Sequence, residues 1–366
     1  MLLPAYLPQQ IFTGKEWLTD YAIIIENGAI TELIPETQLP ENISVKNYEG
    51  FFAPAFIDLQ IYGAHKKLLA VYPQAETLSL IQSYCINGGA VQFLPTVATN
   101  TKQVMYKCID AVRQYWQQGG KGVYGLHLEG PWINAQKRGA HIKELIHPPV
   151  KDEVVELLEY GKGVIKMITL APEVCSDEIL QLILSYNIII SAGHSDSNYE
   201  KALHHFDREI TSVTHLYNAM SPLQHRSPGL VGAAFMHKKV MASIIADGYH
   251  VDFAAIKIAK DIMNQRLFAI TDAVTETNEG HYHHQLNGDK YECNGVLSGS
   301  SLTMYSSFIN LVKRAGIELG EALRMCSLYP AQVIKADHLY GRIAPGYAAQ
   351  FAVMNKELEL VEMITA

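Results

Sequence analysis

Short, nearly continuous apolar runs alternate with amphipathic stretches through most of the chain. The runs stand at residues 55–61, 91–95, 123–128, 164–170, 188–192, 212–216, 241–246 and 267–271. Most are followed by helix-like segments, at 76–87, 101–118, 177–186, 197–206, 252–264 and 303–314. Strands apolar on both faces, joined by helices, predict a parallel sheet covered on both sides. Eight such units predict a (β/α)8 barrel. The open doubly wound alternative lacks a GxGxxG after the first strand.

The two ends of the chain have another rhythm. Tyr21-Ala22-Ile23-Ile24-Ile25 and Ala29-Ile30-Thr31-Glu32-Leu33-Ile34 flank Asn27-Gly28, a hairpin dipeptide in which both residues tolerate φ > 0. Near the other end, Gly341 and Pro345-Gly346 punctuate short apolar runs that finish in Phe351-Ala352-Val353-Met354. A small β domain built from residues 1–52 plus 339–366 is expected around a barrel of residues 53–338.

Composition narrows the class of function. The chain has 366 residues and a formal net charge of −8. An acidic balance without a basic block argues against nucleic acid as a partner. The longest apolar runs fall far short of the ~20 residues of a membrane span. Met1-Leu2-Leu3-Pro4 lacks a basic region leading into a long apolar stretch, so no signal peptide is expected. Five cysteines without a CxxC pair give neither a disulfide framework nor a thiolate zinc site. A soluble cytoplasmic protein is expected.

The polar residues cluster where the strands end. The third run ends in His127-Leu128-Glu129-Gly130-Pro131, the fifth in Gly193-His194-Ser195 and the sixth in Thr214-His215-Leu216-Tyr217-Asn218. The seventh ends in Asp247-Gly248-Tyr249-His250 and the eighth in Thr271-Asp272-Ala273. In a barrel these ends converge on one mouth, where barrel enzymes do their chemistry. One carboxylate and two imidazoles with an Asp nearby match the ligand set of a catalytic Zn²⁺ with an open position. Plainer roles compete. Asp272 has the option of capping a helix, and His204-His205 are expected on a helix surface. His281-Tyr282-His283-His284 is read as a solvated hairpin rather than a metal tract. The Pro-flanked loop carrying His225 and Arg226 reads either as a solvated loop or, favoured by its place at the mouth, as an anion grip, because a guanidinium binds phosphate through paired donors.

These blocks resemble the signature of N-acetylglucosamine-6-phosphate deacetylases in the amidohydrolase superfamily. The resemblance rests on His127–Pro131 with Lys137-Arg138-Gly139-Ala140-His141, on Gly193-His194-Ser195, and on Thr214–Leu223 with Arg226 and Pro228–Gly232. Ile245–Val251, Thr271-Asp272-Ala273 and Leu297–Met304 complete it, so that it runs in order from about Pro54 to Gly346. It implies a β/α barrel with a small β-sandwich from both termini, and one divalent metal per subunit held by Glu129, His194 and His215. Zn²⁺ is the first choice and Fe²⁺ the alternative, since imidazole and carboxylate suit both. The resemblance further implies Asp272 as the acid/base, His141 polarising the acetyl carbonyl, His250 on the sugar, and Asn218 and Ala219 on the phosphate. It implies homodimers in which the His225-Arg226 loop reaches the phosphate in the partner's site.

Two departures stand out. Many amidohydrolases carry His-x-His at the end of the first strand for a second metal, whereas this strand reads Asp58-Leu59-Gln60-Ile61-Tyr62. The stretch 274–292 also leaves the family pattern. The expected reaction is removal of acetyl from N-acetylglucosamine 6-phosphate. The alternatives are another N-acyl amino-sugar phosphate, such as the galactosamine epimer, or a silent sugar-phosphate-binding barrel. A silent homologue is expected to have lost Asp272 or a metal ligand, and all four stand here.

Overall fold

The computed structural model describes residues 4–365. Met1–Leu3, part of the stretch read for a leader, and Ala366, the end of the expected small domain, lie outside the described residues. The eight runs form eight parallel strands, in order Phe56–Ile61, Ala90–Ala98, Leu126–Glu129, Ile165–Leu170, Ile189–Ala192, Ser212–Val213, Met241–Ile245 and Leu267–Ile270. Each pairs with the next in sequence. The ring is drawn together where Asp272 N–H donates to Gln60 O and Tyr62 N–H to Ala273 O, both at 2.9 Å. Their apolar side chains share one core with the surrounding helices, in which Trp132, Phe56, Phe93, Phe268 and Phe308 are fully buried.

The expected helices are present, at Ala75–Asn87, Lys102–Gln117, Asp177–Ser185, Tyr199–Phe206, Phe253–Met263 and Met304–Lys313. Several begin one residue later than their sequence pattern because the first residue is a cap. The side chains of Thr101, Asp252 and Thr303 accept from the backbone N–H of Val104, Ala254 and Ser306 respectively. A helix over Gly229–Met236 was not expected; it is almost wholly buried and so shows no amphipathic stripe. No helix among the described residues is long and apolar enough to cross a membrane.

Both termini enter one seven-stranded sheet. Gln350–Met354 lies antiparallel to Ser44–Pro54, which runs parallel to Pro4–Phe12. The Asn27-Gly28 turn closes as read, with Glu26 opposite Ala29 and φ of 50° and 78° at the two turn residues. Ile23 and Ile25 pack on one face with Phe52 and Phe351, while Ala22 and Ile24 pack on the other with Ala5. The departing stretch after the eighth strand builds a three-stranded sheet, Gln285–Asn287, Lys290–Cys293 and Val296–Ser300.

Candidate metal centre and active site

Strand ends deliver the polar residues to one cavity of about 290 Å³. Glu129, His141, His194, His215, Asn218, Ala219, His250 and Asp272 all line it. Three of them leave their strands through left-handed backbone, with φ of 48° at His194, 34° at His215 and 54° at Asp272. Residues rarely hold such φ values unless the surroundings impose them, and such strain concentrates at functional sites. The turn at His215 also explains why the sixth strand stops at Val213 rather than running to Leu216.

Glu129 Oε1, His194 Nε2 and His215 Nε2 form a triangle with edges of 3.3, 3.1 and 3.1 Å. Ligand atoms about 2.0–2.1 Å from a tetrahedral ion stand roughly 3.3–3.4 Å apart, so the triangle fits one divalent ion. His194 Nδ1 lies 2.9 Å from Lys137 O, so it carries the proton and leaves the Nε2 lone pair facing the triangle. Two imidazole nitrogens held face to face are relieved by a shared cation. Glu129 is buried, which opposes its ionisation, yet His194 and its other imidazole neighbours hold its carboxyl well below the usual range.

His141 approaches the same carboxylate from the other side. Glu129, His141 and His194 present ligand atoms within 4.8 Å of one another, a second grouping of metal-binding type. His141 Nε2, however, faces Glu129 Oε2 at 3.2 Å, while His194 and His215 share Oε1. Its Nδ1 lies 2.7 Å from Thr99 Oγ1. A Thr hydroxyl donating to Nδ1 leaves Nε2–H at the cavity wall, facing Glu129 Oε2. Burial, with His194 beside it, pushes His141 down to about 4, so the ring is neutral. Gly130 makes this possible: a Cβ there would lie 2.1 Å from Thr99 Oγ1, and its φ of 84° is one that side chains rarely adopt.

Asp272 is no helix cap. Its Oδ1 accepts from Gln60 Nε2 at 2.8 Å, and the same nitrogen lies 3.0 Å from Glu129 Oε1. Gln60 thus ties the two carboxylates together. Burial raises Asp272 above the ordinary carboxylate range, Glu129 adds to the rise, and His215 pulls against it. Tyr62 donates to Glu129 Oε2 at 2.5 Å, and burial with two neighbouring carboxylates holds its phenol protonated. Asp247 Oδ2 meets His250 Nδ1 at 2.6 Å, while its Oδ1 accepts from the N–H of Tyr249 and His250 at 2.8 Å. This orients the His250 ring.

The structure does not bring every expected residue to the site. His225 and Arg226 are exposed at the tip of a tight turn, in which Gln224 and Ser227 exchange backbone hydrogen bonds at 3.1 Å. Neither lines the cavity of its own chain. His205 is buried rather than on its helix surface, with Nδ1 unpartnered, while His204 stays exposed. The 281–284 tract is only half solvated, because Tyr282 and His284 are buried while His281 and His283 are exposed. Tyr282 Oη donates to Thr99 O at 2.7 Å, and His284 Nδ1 meets Ser298 Oγ at 2.8 Å. Alternation along an extended segment is the signal that separates the two pairs.

Residues 51–365 match the amidohydrolase family, and residues 7–51 match the NagA composite domain. The chain belongs to the amidohydrolase family. This amidohydrolase is 32% identical over 366 residues to the N-acetylglucosamine-6-phosphate deacetylase of Haemophilus influenzae, covering 96% of this chain and 95% of the relative. It is 28% identical to the N-acetylgalactosamine-6-phosphate deacetylase of Escherichia coli O157:H7, covering 97% and 96%. The crystal structure of N-acetylglucosamine-6-phosphate deacetylase from Pasteurella multocida superposes with a TM-score of 0.94 at 29% identity, covering all of both chains. The family is metal-dependent, in keeping with the cluster around Glu129.

Proposed function

We propose that this amidohydrolase removes the acetyl group of N-acetylglucosamine 6-phosphate, giving glucosamine 6-phosphate and acetate. One arrangement carries the reading: the Glu129–His194–His215 triangle with Asp272 and the His141 Nε2–H opposite, in a cavity also lined by Asn218, Ala219 and His250. The Haemophilus influenzae relative at 32% identity and the Pasteurella multocida structure at a TM-score of 0.94 are both of the glucosamine type, which supports that epimer, while a Shewanella N-acetylgalactosamine-6-phosphate deacetylase at 31% keeps the other as the alternative.

Glu129, His194 and His215 would hold one divalent metal, Zn²⁺ by first choice and Fe²⁺ as the alternative. A metal there supplies Lewis-acid polarisation and makes water acidic enough to attack at neutral pH. Asp272 takes a proton from the attacking water as its oxygen bonds to the acyl carbon. It returns that proton to nitrogen as the C–N bond breaks, so the amine leaves neutral, and the acetic acid formed gives up the second water proton to become acetate at neutral pH. His141 donates Nε2–H to the oxygen that gains charge, and Gln60 fixes the Asp272 carboxylate. His250, oriented by Asp247, contacts the sugar, while Asn218 and Ala219 help hold the phosphate.

The exposed turn carrying His225 and Arg226 completes the phosphate site of the partner subunit in a homodimer. The five cysteines are free and four are buried, in keeping with a cytoplasmic setting. Incubation with N-acetylglucosamine 6-phosphate should release acetate and free amine in equal amounts, faster than with the galactosamine epimer. Hydrolysis of the galactosamine epimer alone would replace this reading with the other.

A further inference from the structure

A second compartment opens beside the reaction centre. It shares Tyr62, Glu129, Ala140, His141 and Ser298 with the main cavity and continues behind them. Its far walls are Leu68, Ala70, Ala98, Val274, Tyr282 and His284. The polar tips there are engaged elsewhere: Tyr282 Oη donates to Thr99 O, and His284 Nδ1 pairs with Ser298 Oγ. The rings of Tyr282 and His284 stack 7° from parallel with centroids 6.0 Å apart. No lysine or arginine is among its lining residues, and Glu129 at its mouth is the one carboxylate.

The deacetylase reading places the sugar toward Asn218, Ala219 and His250, and the scissile amide between Asp272 and His141. The acyl substituent then points away from the sugar, past His141, into this apolar space. The volume is about 50 Å³, where one water-sized group needs roughly 10–15 Å³. A methyl group leaves part of it empty. We propose that this compartment is an acyl pocket that admits a neutral chain longer than acetyl, propionyl in particular. The enzyme would then be an N-acyl rather than a strictly N-acetyl amino-sugar-phosphate hydrolase. The proposal rests on the deacetylase reading. It ties specificity to the 274–300 segment, which supplies Val274, Tyr282, His284 and Ser298.

The test compares N-acetyl- and N-propionylglucosamine 6-phosphate with the metal-loaded full chain, following release of free amine. An added methylene that fits an apolar pocket gains affinity, and one that does not fit is rejected by about 10–200-fold. The expected result is a kcat/KM for the propionyl substrate within about threefold of the acetyl value, or above it. Acetyl hydrolysis with the propionyl substrate down by more than roughly tenfold overturns the pocket and leaves the deacetylase reading standing. Hydrolysis of neither substrate defeats both. Ala70→Leu, which narrows the compartment, should lower the propionyl-to-acetyl ratio by about tenfold. Binding to Asp272→Asn gives a readout without turnover: the two substrates should bind within about threefold of each other, and weaker propionyl binding by more than tenfold counts against the pocket.

Discussion

The hydroxyl of Thr99 lies 2.7 Å from Nδ1 of His141, and it stands where the Cβ of any residue but glycine at position 130 would be. One small residue in the His127–Pro131 block thus makes room for the group that fixes a histidine on another loop. Partners that orient an active-site imidazole are typically worth 10–100-fold. Thr99→Val should therefore lower kcat by about tenfold with little change in KM. Thr99→Ser should retain most of the rate. Steady-state kinetics of the two variants decide between an orienting hydroxyl and a merely space-filling one, for which valine is the better substitute.

In the proposed mechanism Asp272 carries the proton transfers. General acid–base catalysis contributes about 10²–10⁴-fold, so Asp272→Asn should lose at least 10²-fold in turnover while keeping its metal. Metal analysis beside the rate measurement checks both halves. Near-normal turnover would remove Asp272 from the mechanism.

Arg226 offers a test by mixing subunits. A hydrogen bond to a charged group is worth about 1.5–3 kcal/mol, so Arg226→Ala should raise KM for the phosphorylated substrate by roughly 10–100-fold. An unphosphorylated sugar should be little affected. If the turn serves the partner's site, co-refolding Arg226→Ala with Asp272→Asn restores activity, because mixed dimers contain one site with both groups intact. Additive residual activities would place Arg226 at the surface of its own chain alone.

Asp58 predicts a pH dependence of stability. It is buried beneath the site, where its Oδ1 accepts from the N–H of Gln60 and Thr271 at 3.2 and 3.1 Å and its Oδ2 meets Thr271 Oγ1. Burial, opposed by the Thr271 hydrogen bonds, pushes it up to about 7. A carboxyl raised in the folded state binds more protons there than in the unfolded chain. Its penalty is therefore absent below about pH 4, grows as the pH rises toward 7, and is constant above. In Asp58→Asn the amide oxygen can keep both N–H donors and the amide nitrogen can donate to Thr271 Oγ1. Relative to the parent, this variant should gain stability between pH 4 and 7, by up to about 4 kcal/mol. Thermal unfolding at several pH values measures it, and a difference flat in pH would contradict it.

The barrel was legible because its strands are buried on both faces and read as uninterrupted apolar runs. The cluster was legible because Glu129, His194, His215 and Asp272 each sit at the end of such a run. What the sequence hid had a common cause, which is contact between residues far apart in the chain. Thr99 serves His141, and Gln60 joins Glu129 to Asp272, yet neither stands in a motif that announces a role. Gln60 stands out in the sequence only because the first strand lacks the His-x-His pair. Tyr282 and His284 lay in a polar, histidine-rich tract whose composition outweighed its alternation. Arg226 falls in a recognisable block, yet it stands exposed on a turn and does not line the cavity of its own chain.

Acetate release from N-acetylglucosamine 6-phosphate, measured with the native protein, after chelation, and after stoichiometric return of Zn²⁺ or Fe²⁺, tests the central claim most directly. Activity should vanish with the metal and return at about one ion per subunit, while His194→Ala and His215→Ala neither retain the ion nor recover. Full activity in protein shown by metal analysis to be free of bound ion would contradict the account.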